Sequence, residues 1–182
     1  AVAALVRQPQ WSWDNLLDAQ VNGWPLILVL ASLQDPGNLG TILRSAEAFG
    51  ARGVLALPGT VSAWNPKAVR ASAGSVFRVP CLYAGADQAF SSLRRAGLRI
   101  LATAVRDALP ATGLRLTSPT ALLIGNEGNG LPDDLAAQAD GVITIPCPGA
   151  VESLNAAVAA SILLYEASRQ RGNGDPSRRG AR

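Results

Sequence analysis

Short apolar runs alternate along this chain with longer segments in which apolar residues recur every three or four positions. Such runs predict buried strands, and their alternation with helical segments is typical of a parallel α/β sheet. The predicted strands are Leu26–Leu33, Val54–Leu57, Val79–Tyr83, Leu98–Val105, Ala121–Ile124 and Val142–Ile145. The predicted helices span residues 14–20, 38–49, 66–73, 86–96, 132–138 and 152–170. The pattern therefore predicts an α/β fold.

The helix predicted at residues 152–170 has the clearest apolar stripe. The stripe consists of Leu154, Val158, Ile162 and Tyr165 and is widened by Ala157, Ser161 and Leu164. Apolar residues at this spacing share one face of a helix. We expect the helix to pack against the sheet, and its length and small-residue face also suit packing against another subunit.

The regular pattern is confined to residues 25–171, which are predicted to form one domain. A chain of 182 residues with 48% hydrophobic content can bury one full core. Residues 1–24 are mixed in composition and are predicted to be a linker or docking segment. Residues 172–182 are rich in Gly and Arg and predict a disordered basic tail. Because the chain contains no Met and begins with Ala1, either its initiator was removed or it is a fragment of a longer polypeptide, and we favour the fragment.

Composition argues against several classes of chemistry. The sequence has no His, and its two cysteines, Cys81 and Cys147, form no CxxC pair. These counts disfavour zinc fingers, metalloproteases and Ser-His-Asp catalysis, and no metal site is expected. No apolar run approaches the roughly 18 to 20 residues of a membrane span, and no secretory signal pattern is found. We therefore expect a cytoplasmic protein without a membrane partner.

The formal net charge is +3, and Lys67 is the only lysine among the 16 Lys and Arg residues. Guanidinium groups suit two-pronged binding of phosphate. Genomic base composition explains an excess of Arg equally well, so charge alone does not indicate a nucleic-acid partner.

The first of three polar clusters, Asp35-Pro36-Gly37-Asn38-Leu39-Gly40, follows the first predicted strand and opens a helix. A helix N-terminus presents free backbone N–H groups that bind anions. Arg44 lies in the second turn of this helix. Two interpretations are open: Asn38 and Arg44 belong to a functional site, or Asn38 only caps the helix and Arg44 pairs with Glu47.

The second cluster, Gly125-Asn126-Glu127-Gly128-Asn129-Gly130, follows the fifth predicted strand. Glycines at this density let the backbone approach a ligand closely and adopt positive φ. A dinucleotide-binding GxGxxG would follow the first strand, and a P-loop requires GxxxxGK[ST]. Neither motif fits.

The third cluster runs from Ile145-Pro146-Cys147-Pro148-Gly149 into Glu152-Ser153-Leu154-Asn155. Here a strand ends in a turn with two prolines, and the long last helix begins. Ser153 and Asn155 place polar side chains at the helix start, where they either serve a site or act only as cap and first-turn residues.

In order, content and spacing, the three clusters resemble the motifs of the SpoU (TrmH-like) family of SPOUT RNA 2′-O-ribose methyltransferases. That family carries an NxGxxxR segment, a GxEGxG-like loop and an IPxxGxxxSLNxxxA segment, and residues 65–75 are similar to its intervening connection. The resemblance covers about residues 26–170. It implies a parallel-sheet SPOUT fold with a C-terminal trefoil knot, a pocket for S-adenosylmethionine and a homodimer. Since chains rarely thread loops, the knot rests on the resemblance alone.

The resemblance also implies roles for individual residues. The implied cofactor-binding residues are Gly125, Asn126, Glu127, Ile145, Pro146, Leu154 and Asn155. The implied catalytic residues are Asn38, Arg44, Glu127, Ser153 and Asn155.

A guanidinium group stays protonated in proteins, so we do not expect Arg44 to act as the base. Our hypothesis is that Arg44 holds the target phosphate and the developing oxyanion, while Asn38, Ser153 and Asn155 position both. Glu127 is expected to fix Arg44 or a substrate hydroxyl.

The expected partner is structured RNA, with 23S rRNA favoured slightly over tRNA. Many members of the family carry an additional N-terminal RNA-binding domain, so residues 1–24 are also interpreted as the remnant of one. Trp11 and Trp13 could stack on bases, although large aromatic residues more often dock on their own domain. A catalytically silent RNA-binding module and an unrelated Rossmann-type enzyme are the alternatives. The full set of candidate residues argues against the first, and the placement of the glycines against the second.

Overall fold

The computed structural model describes residues 5–18, 24–104, 108–126 and 128–172. The described strands are β1 (Leu26–Leu30), β2 (Gly53–Ala56), β3 (Cys81–Tyr83), β4 (Arg99–Thr103), β5 (Leu109–Pro110), β6 (Thr120–Ile124) and β7 (Gly141–Thr144). The described helices are α1 (Trp13–Leu17), α2 (Pro36–Ala48), α3 (Pro66–Ala71), α4 (Ala86–Arg95), α5 (Asp133–Ala136) and α6 (Ala156–Gln170). Short 3₁₀ turns occupy Ser75–Phe77 and Ala111–Gly113.

The strands form one sheet in the order β3-β2-β1-β6-β4-β7-β5, and each described pair is parallel. All residues of β1 and β6 are buried, as expected for central parallel strands covered by helices on both faces. Leu30 lies opposite Ile124, so the carboxyl ends of β1 and β6 meet at the same edge. The predicted α/β fold with a parallel sheet is confirmed, and the C-terminal trefoil knot stays a prediction.

Helices cover the two faces of the sheet and form two apolar clusters. Leu28 packs in the first cluster with Leu43 of α2 and Leu164 of α6. Val29, the next residue of β1, packs in the second cluster with Phe90 of α4. Successive strand residues point to opposite faces, so both sides of β1 are apolar.

Several predicted boundaries differ from those in the structure. The edge strand β5 was not predicted, because an exposed two-residue strand that includes Pro110 carries no apolar alternation. The first strand ends at Leu30 instead of Leu33, since Ser32 has a left-handed φ of 55°. The last helix begins at Ala156 instead of residue 152, with Asn155 as its N-cap. Val105, the predicted end of the fourth strand, lies outside the described residues.

The apolar stripe predicted on the last helix faces the core only in part, since Ala157 and Leu164 are buried but three other members are exposed. Val158, Ile162 and Tyr165 are 47%, 40% and 55% exposed. The buried face is formed by Ala156, Ala157, Ala160, Leu163, Leu164 and Ala167. A helix with apolar residues on two faces does not reveal by periodicity which face is buried. The buried face of α6 is the one with small alanines, because they let α6 approach α2 closely. Ser161 Oγ of α6 lies 2.7 Å from Ser45 Oγ of α2.

The N-terminal segment packs against the domain. Leu16 of α1 is fully buried, and Trp11 and Trp13 are partly buried against the second apolar cluster. Arg52 donates to the carbonyl oxygen of Asp18 at 2.7 Å. The two tryptophans therefore dock on their own domain.

The predicted tail lies outside the described residues from residue 173 onward. Just before it, Arg171 donates to three carbonyl oxygens, those of Trp24, Leu116 and Ser118. These bonds fix the end of α6 against the start of the domain. No helix in the described parts of the chain is long and apolar enough to cross a membrane.

Candidate active site

A cavity of about 690 Å³ lies at the carboxyl edge of the sheet, beyond β4, β6 and β7. Its walls are the two loops that contain the second and third polar clusters, together with the first turns of α6. Ligand sites in parallel α/β proteins lie outside the carboxyl ends of strands, and cavities of roughly 300 to 1,000 Å³ suit small organic ligands. The cavity is therefore the candidate ligand site.

Gly125 forms the wall of the cavity where β6 ends. A Cβ atom at this position would lie 2.6 Å from both Gly130 O and Leu131 N. Those backbone atoms belong to the returning part of the loop, which is closed by hydrogen bonds between Asn126 N and Gly130 O (2.9 Å) and between Gly130 N and Asn126 O (3.1 Å). Only glycine permits this close approach.

Asn126 holds the same loop through its side chain. Its Nδ2 donates to Ser32 O at 2.7 Å, while its Oδ1 accepts from Gly128 N at 2.8 Å and from Asn129 N at 3.3 Å. One side chain thus ties the glycine-rich loop to the end of β1. Glu127, predicted for both cofactor binding and catalysis, lies outside the described residues.

The segment after β7 forms the opposite wall. Ile145, Pro146, Ser153 and Leu154, all predicted site residues, line the cavity. Ile145 and Leu154 are partly buried and Ser153 is exposed. Cys147 also lines the cavity as an exposed free thiol, which the sequence analysis did not predict.

Asn155 connects this wall to the first polar cluster. Its Oδ1 accepts from Ala157 N at 2.9 Å and Val158 N at 3.2 Å, which caps α6. Its Nδ2 donates to Asn38 Oδ1 at 3.1 Å. The Asn155 side chain therefore has two roles, because its oxygen caps α6 and its nitrogen joins the start of α6 to the start of α2. Asn155 itself does not line the cavity.

Asp35, not Asn38, is the N-cap of α2. Asp35 Oδ1 accepts from Gly37 N at 2.7 Å and from Lys67 Nζ at 2.8 Å. The hydrogen bond from Lys67, reinforced by that from Gly37, lowers the pKa of Asp35 below its ordinary 3.8. The observed N-cap therefore lies three residues before the predicted one, because the helix begins at Pro36. Proline is favourable at this first helical position, where its missing N–H has no partner in the helix to lose.

Arg44 lies on the exposed side of α2, about 9 Å along the helix axis from Asn38 at 1.5 Å per residue. The alternative that Arg44 pairs with Glu47 is wrong, since Glu47 binds Arg78, whose Nη2 lies 2.9 Å from Glu47 Oε2. Within the described residues the Arg44 side chain makes no hydrogen bond or ion pair. Its guanidinium group is thus open to a ligand.

Gly40, the glycine of the NxGxxxR segment, serves helix packing. A Cβ atom there would lie 2.6 Å from Ala71 Cβ and 2.9 Å from Ser72 N of the neighbouring α3 segment. Such contacts hold α2, and with it Arg44, in a fixed position. The described residues include no group of three or more His, Cys, Asp or Glu residues that could hold a metal ion.

The geometry therefore divides the predicted residues into two groups. The cavity group comprises Gly125, Asn126, Ile145, Pro146, Ser153 and Leu154. The group on α2 comprises Asn38 and Arg44, and Asn155 joins it to the start of α6.

Comparison with known proteins assigns the chain with these motifs to a family. The model of the SpoU rRNA Methylase family matches residues 25–165. The chain belongs to the SpoU rRNA methylase family. This finding confirms the resemblance proposed from the three clusters.

Two curated SpoU relatives are 23S rRNA methyltransferases by name. The 23S rRNA (guanosine(2553)-2′-O)-methyltransferase RlmP of Bacillus subtilis is 37% identical over 76% of this chain and 56% of the relative. The 23S rRNA (uridine(2479)-2′-O)-methyltransferase of Streptomyces viridochromogenes is 39% identical over 76% of this chain and 50% of the relative. The chain thus spans about half the length of these relatives.

A solved SpoU structure extends the similarity to the fold. The SpoU methyltransferase AviRb of Streptomyces viridochromogenes, crystallised with the cofactor AdoMet, superposes with a TM-score of 0.80 at 34% identity. The match covers 91% of this chain and 67% of that one. The SpoU methyltransferase fold predicted from the resemblance is therefore confirmed.

Proposed function

We propose that this protein is an S-adenosylmethionine-dependent RNA methyltransferase that modifies a ribose 2′-hydroxyl of 23S rRNA. The observation that carries the proposal is the cavity at the carboxyl edge of the sheet, walled by two of the three sequence clusters and joined to the third by the bond between Asn155 and Asn38. Family membership, two relatives named as 23S rRNA 2′-O-methyltransferases and a relative crystallised with AdoMet support it.

The residues of the cavity fit a nucleoside donor. Gly125 keeps the wall free of side-chain atoms beside the loop that it contacts. Ile145 and Leu154 add apolar surface, which suits an adenine ring, and their backbone groups can bind its nitrogens. Asn126 and Pro146 frame the opening. We assign these five residues to the cofactor, with Glu127 and Asn155 retained as candidates from the sequence.

The bound donor supplies a methyl group on a positively charged sulfur. Transfer breaks that carbon–sulfur bond, whose electron pair stays on the sulfur, and forms a carbon–oxygen bond to the ribose, whose hydroxyl proton passes to solvent water. Arg44 is exposed and its side chain has no ion-pair partner among the described residues, and we assign it to a phosphate and to the developing negative charge on the oxygen. Asn38, Ser153 and Asn155 orient the hydroxyl, since aligned reactants lower the barrier.

We further propose a homodimer and a C-terminal knot. Support for the dimer comes from the exposed apolar surface of α6, where Val158, Ile162 and Tyr165 form one stripe. Contiguous exposed apolar patches mark protein–protein contact sites when they are large. Sedimentation equilibrium tests the dimer by its mass. The knot is supported by the fold similarity to SpoU structures. The cytoplasm, where ribosomal RNA is modified, is the proposed location.

Labelled methyl transfer tests the activity. The full-length protein is incubated with radiolabelled S-adenosylmethionine and either 23S rRNA or tRNA transcripts. We expect label in 23S rRNA, and we expect a 2′-deoxy nucleotide at the labelled position to abolish it. Label only in tRNA would establish the tRNA alternative. Donor binding without transfer to either RNA, or to total cellular RNA, would establish the silent RNA-binding module.

A further inference from the structure

The cavity has an unusual charge distribution. Among the described residues that line it, Glu152 is the only Asp, Glu, Lys or Arg. The other polar lining groups are amides, hydroxyls, the Cys147 thiol and backbone. Glu152 is exposed, and no cation of the described chain forms an ion pair with it. Among the described lining residues, Glu152 therefore supplies the one formal charge, and no described cation compensates it.

The proposed reaction changes the charge of its ligand. S-adenosylmethionine carries a positive sulfonium, whereas its product, S-adenosylhomocysteine, has a neutral thioether. The two ligands share the same adenosine, ammonium and carboxylate groups. If a charge in the protein changes the affinities of the two ligands to different extents, that charge interacts with the sulfonium.

Glu152 lines the cavity, so its charge lies within electrostatic range of a ligand bound there. A sphere of 690 Å³ is roughly 11 Å across, and the screening length at physiological ionic strength is about 8 Å. A sulfonium inside the cavity thus experiences the carboxylate, although partial solvent exposure weakens the attraction.

We propose that Glu152 is a specificity-determining residue that makes the cavity prefer the cationic donor to the neutral product. This inference rests on the proposed function of the cavity. The carboxylate stabilises the bound sulfonium before transfer and loses that attraction once the methyl group has left. Glu152 thereby favours donor binding and product release without touching the ribose.

Calorimetry with both ligands tests this role in the wild-type protein and in Glu152→Gln. The substitution removes the charge and keeps the size of the side chain. We expect affinity for S-adenosylmethionine to fall about threefold to fivefold, while affinity for S-adenosylhomocysteine changes by less than about 1.5-fold. Glu152→Lys is expected to widen the loss for the donor to about tenfold. Asp87→Asn on α4 removes a carboxylate away from the cavity and should leave both affinities unchanged.

The outcomes separate the two proposals. Equal weakening of both ligands by Glu152→Gln would overturn the inference, because Glu152 would then bind the shared ammonium group. Unchanged affinities would overturn it as well. If neither ligand binds the wild-type protein, the proposed function of the cavity itself fails. Thermal unfolding of each variant checks that the fold is retained.

Discussion

Replacing Gly125 with alanine should damage both the stability of the protein and its donor site. The added Cβ atom would lie 2.6 Å from Gly130 O and Leu131 N, whereas ordinary contact begins at 3.4 Å. The facing backbone must therefore retreat by several tenths of an ångström. That backbone is closed on Asn126 by two hydrogen bonds, so it cannot move without straining them.

The expected cost follows from these contacts. Overpacking of a well-ordered region costs about 1 to 3 kcal/mol. For a chain of this size, each kcal/mol lowers the melting temperature by about 2 to 4 °C. We therefore expect Gly125→Ala to melt about 2 to 12 °C below the wild type. Because the displaced loop is a wall of the cavity, binding of S-adenosylhomocysteine should weaken at least about tenfold.

Gly128→Ala provides the matched control in the same loop. A Cβ atom at Gly128 would meet only Asn126 Oδ1, at an ordinary 3.6 Å. Scanning calorimetry and titration calorimetry on both variants measure the difference. If Gly125→Ala melts and binds ligand as Gly128→Ala does, the close approach at Gly125 has no role in the site and the reasoning is refuted.

Two further substitutions separate structural roles from catalytic ones. Asn155→Ser keeps a good helix cap, but the serine side chain is too short to reach Asn38. We therefore expect a melting temperature within about 2 °C of the wild type and methyl transfer reduced at least about tenfold. Methyl transfer at the wild-type rate would show that the bond to Asn38 has no role in the mechanism. Arg44→Ala removes an exposed side chain with no described partner, so stability should change by less than about 0.5 kcal/mol while transfer falls about a hundredfold or more. The exposed Arg115, whose neighbour Leu116 binds Gln170 at the C-terminal end of α6, supplies the matched variant Arg115→Ala. Equal rates for the two Arg variants would contradict the role of Arg44.

Much of the fold could be predicted because the central strands are apolar on both faces. Continuous runs such as those of β1 and β6 are characteristic of buried parallel strands, and turn residues marked their ends. The edge strand β5 was missed since two exposed residues leave no periodic signal. The stripe predicted on α6 combines buried residues, Ala157 and Leu164, with exposed ones such as Val158, because periodicity identifies an apolar stripe without indicating what covers it.

The candidate site was predictable at the level of motifs and less so at the level of contacts. Glycine density indicated the loop after β6, which lines the cavity, yet the threefold anchoring by Asn126 depends on where Ser32 lies in space. The bond between Lys67 and Asp35 joins residues 32 positions apart. Sequence spacing carries no information about such a pair, and only packing of α3 against α2 brings it together.

A crystal structure of the protein with S-adenosylhomocysteine tests the central claim most directly. We expect the ligand between the loop that begins at Gly125 and the segment from Ile145 to Leu154, with its sulfur directed toward the side chains of Asn38 and Arg44. Electron density for the ligand at any other place on the protein, or a sulfur directed away from Arg44, would contradict the account.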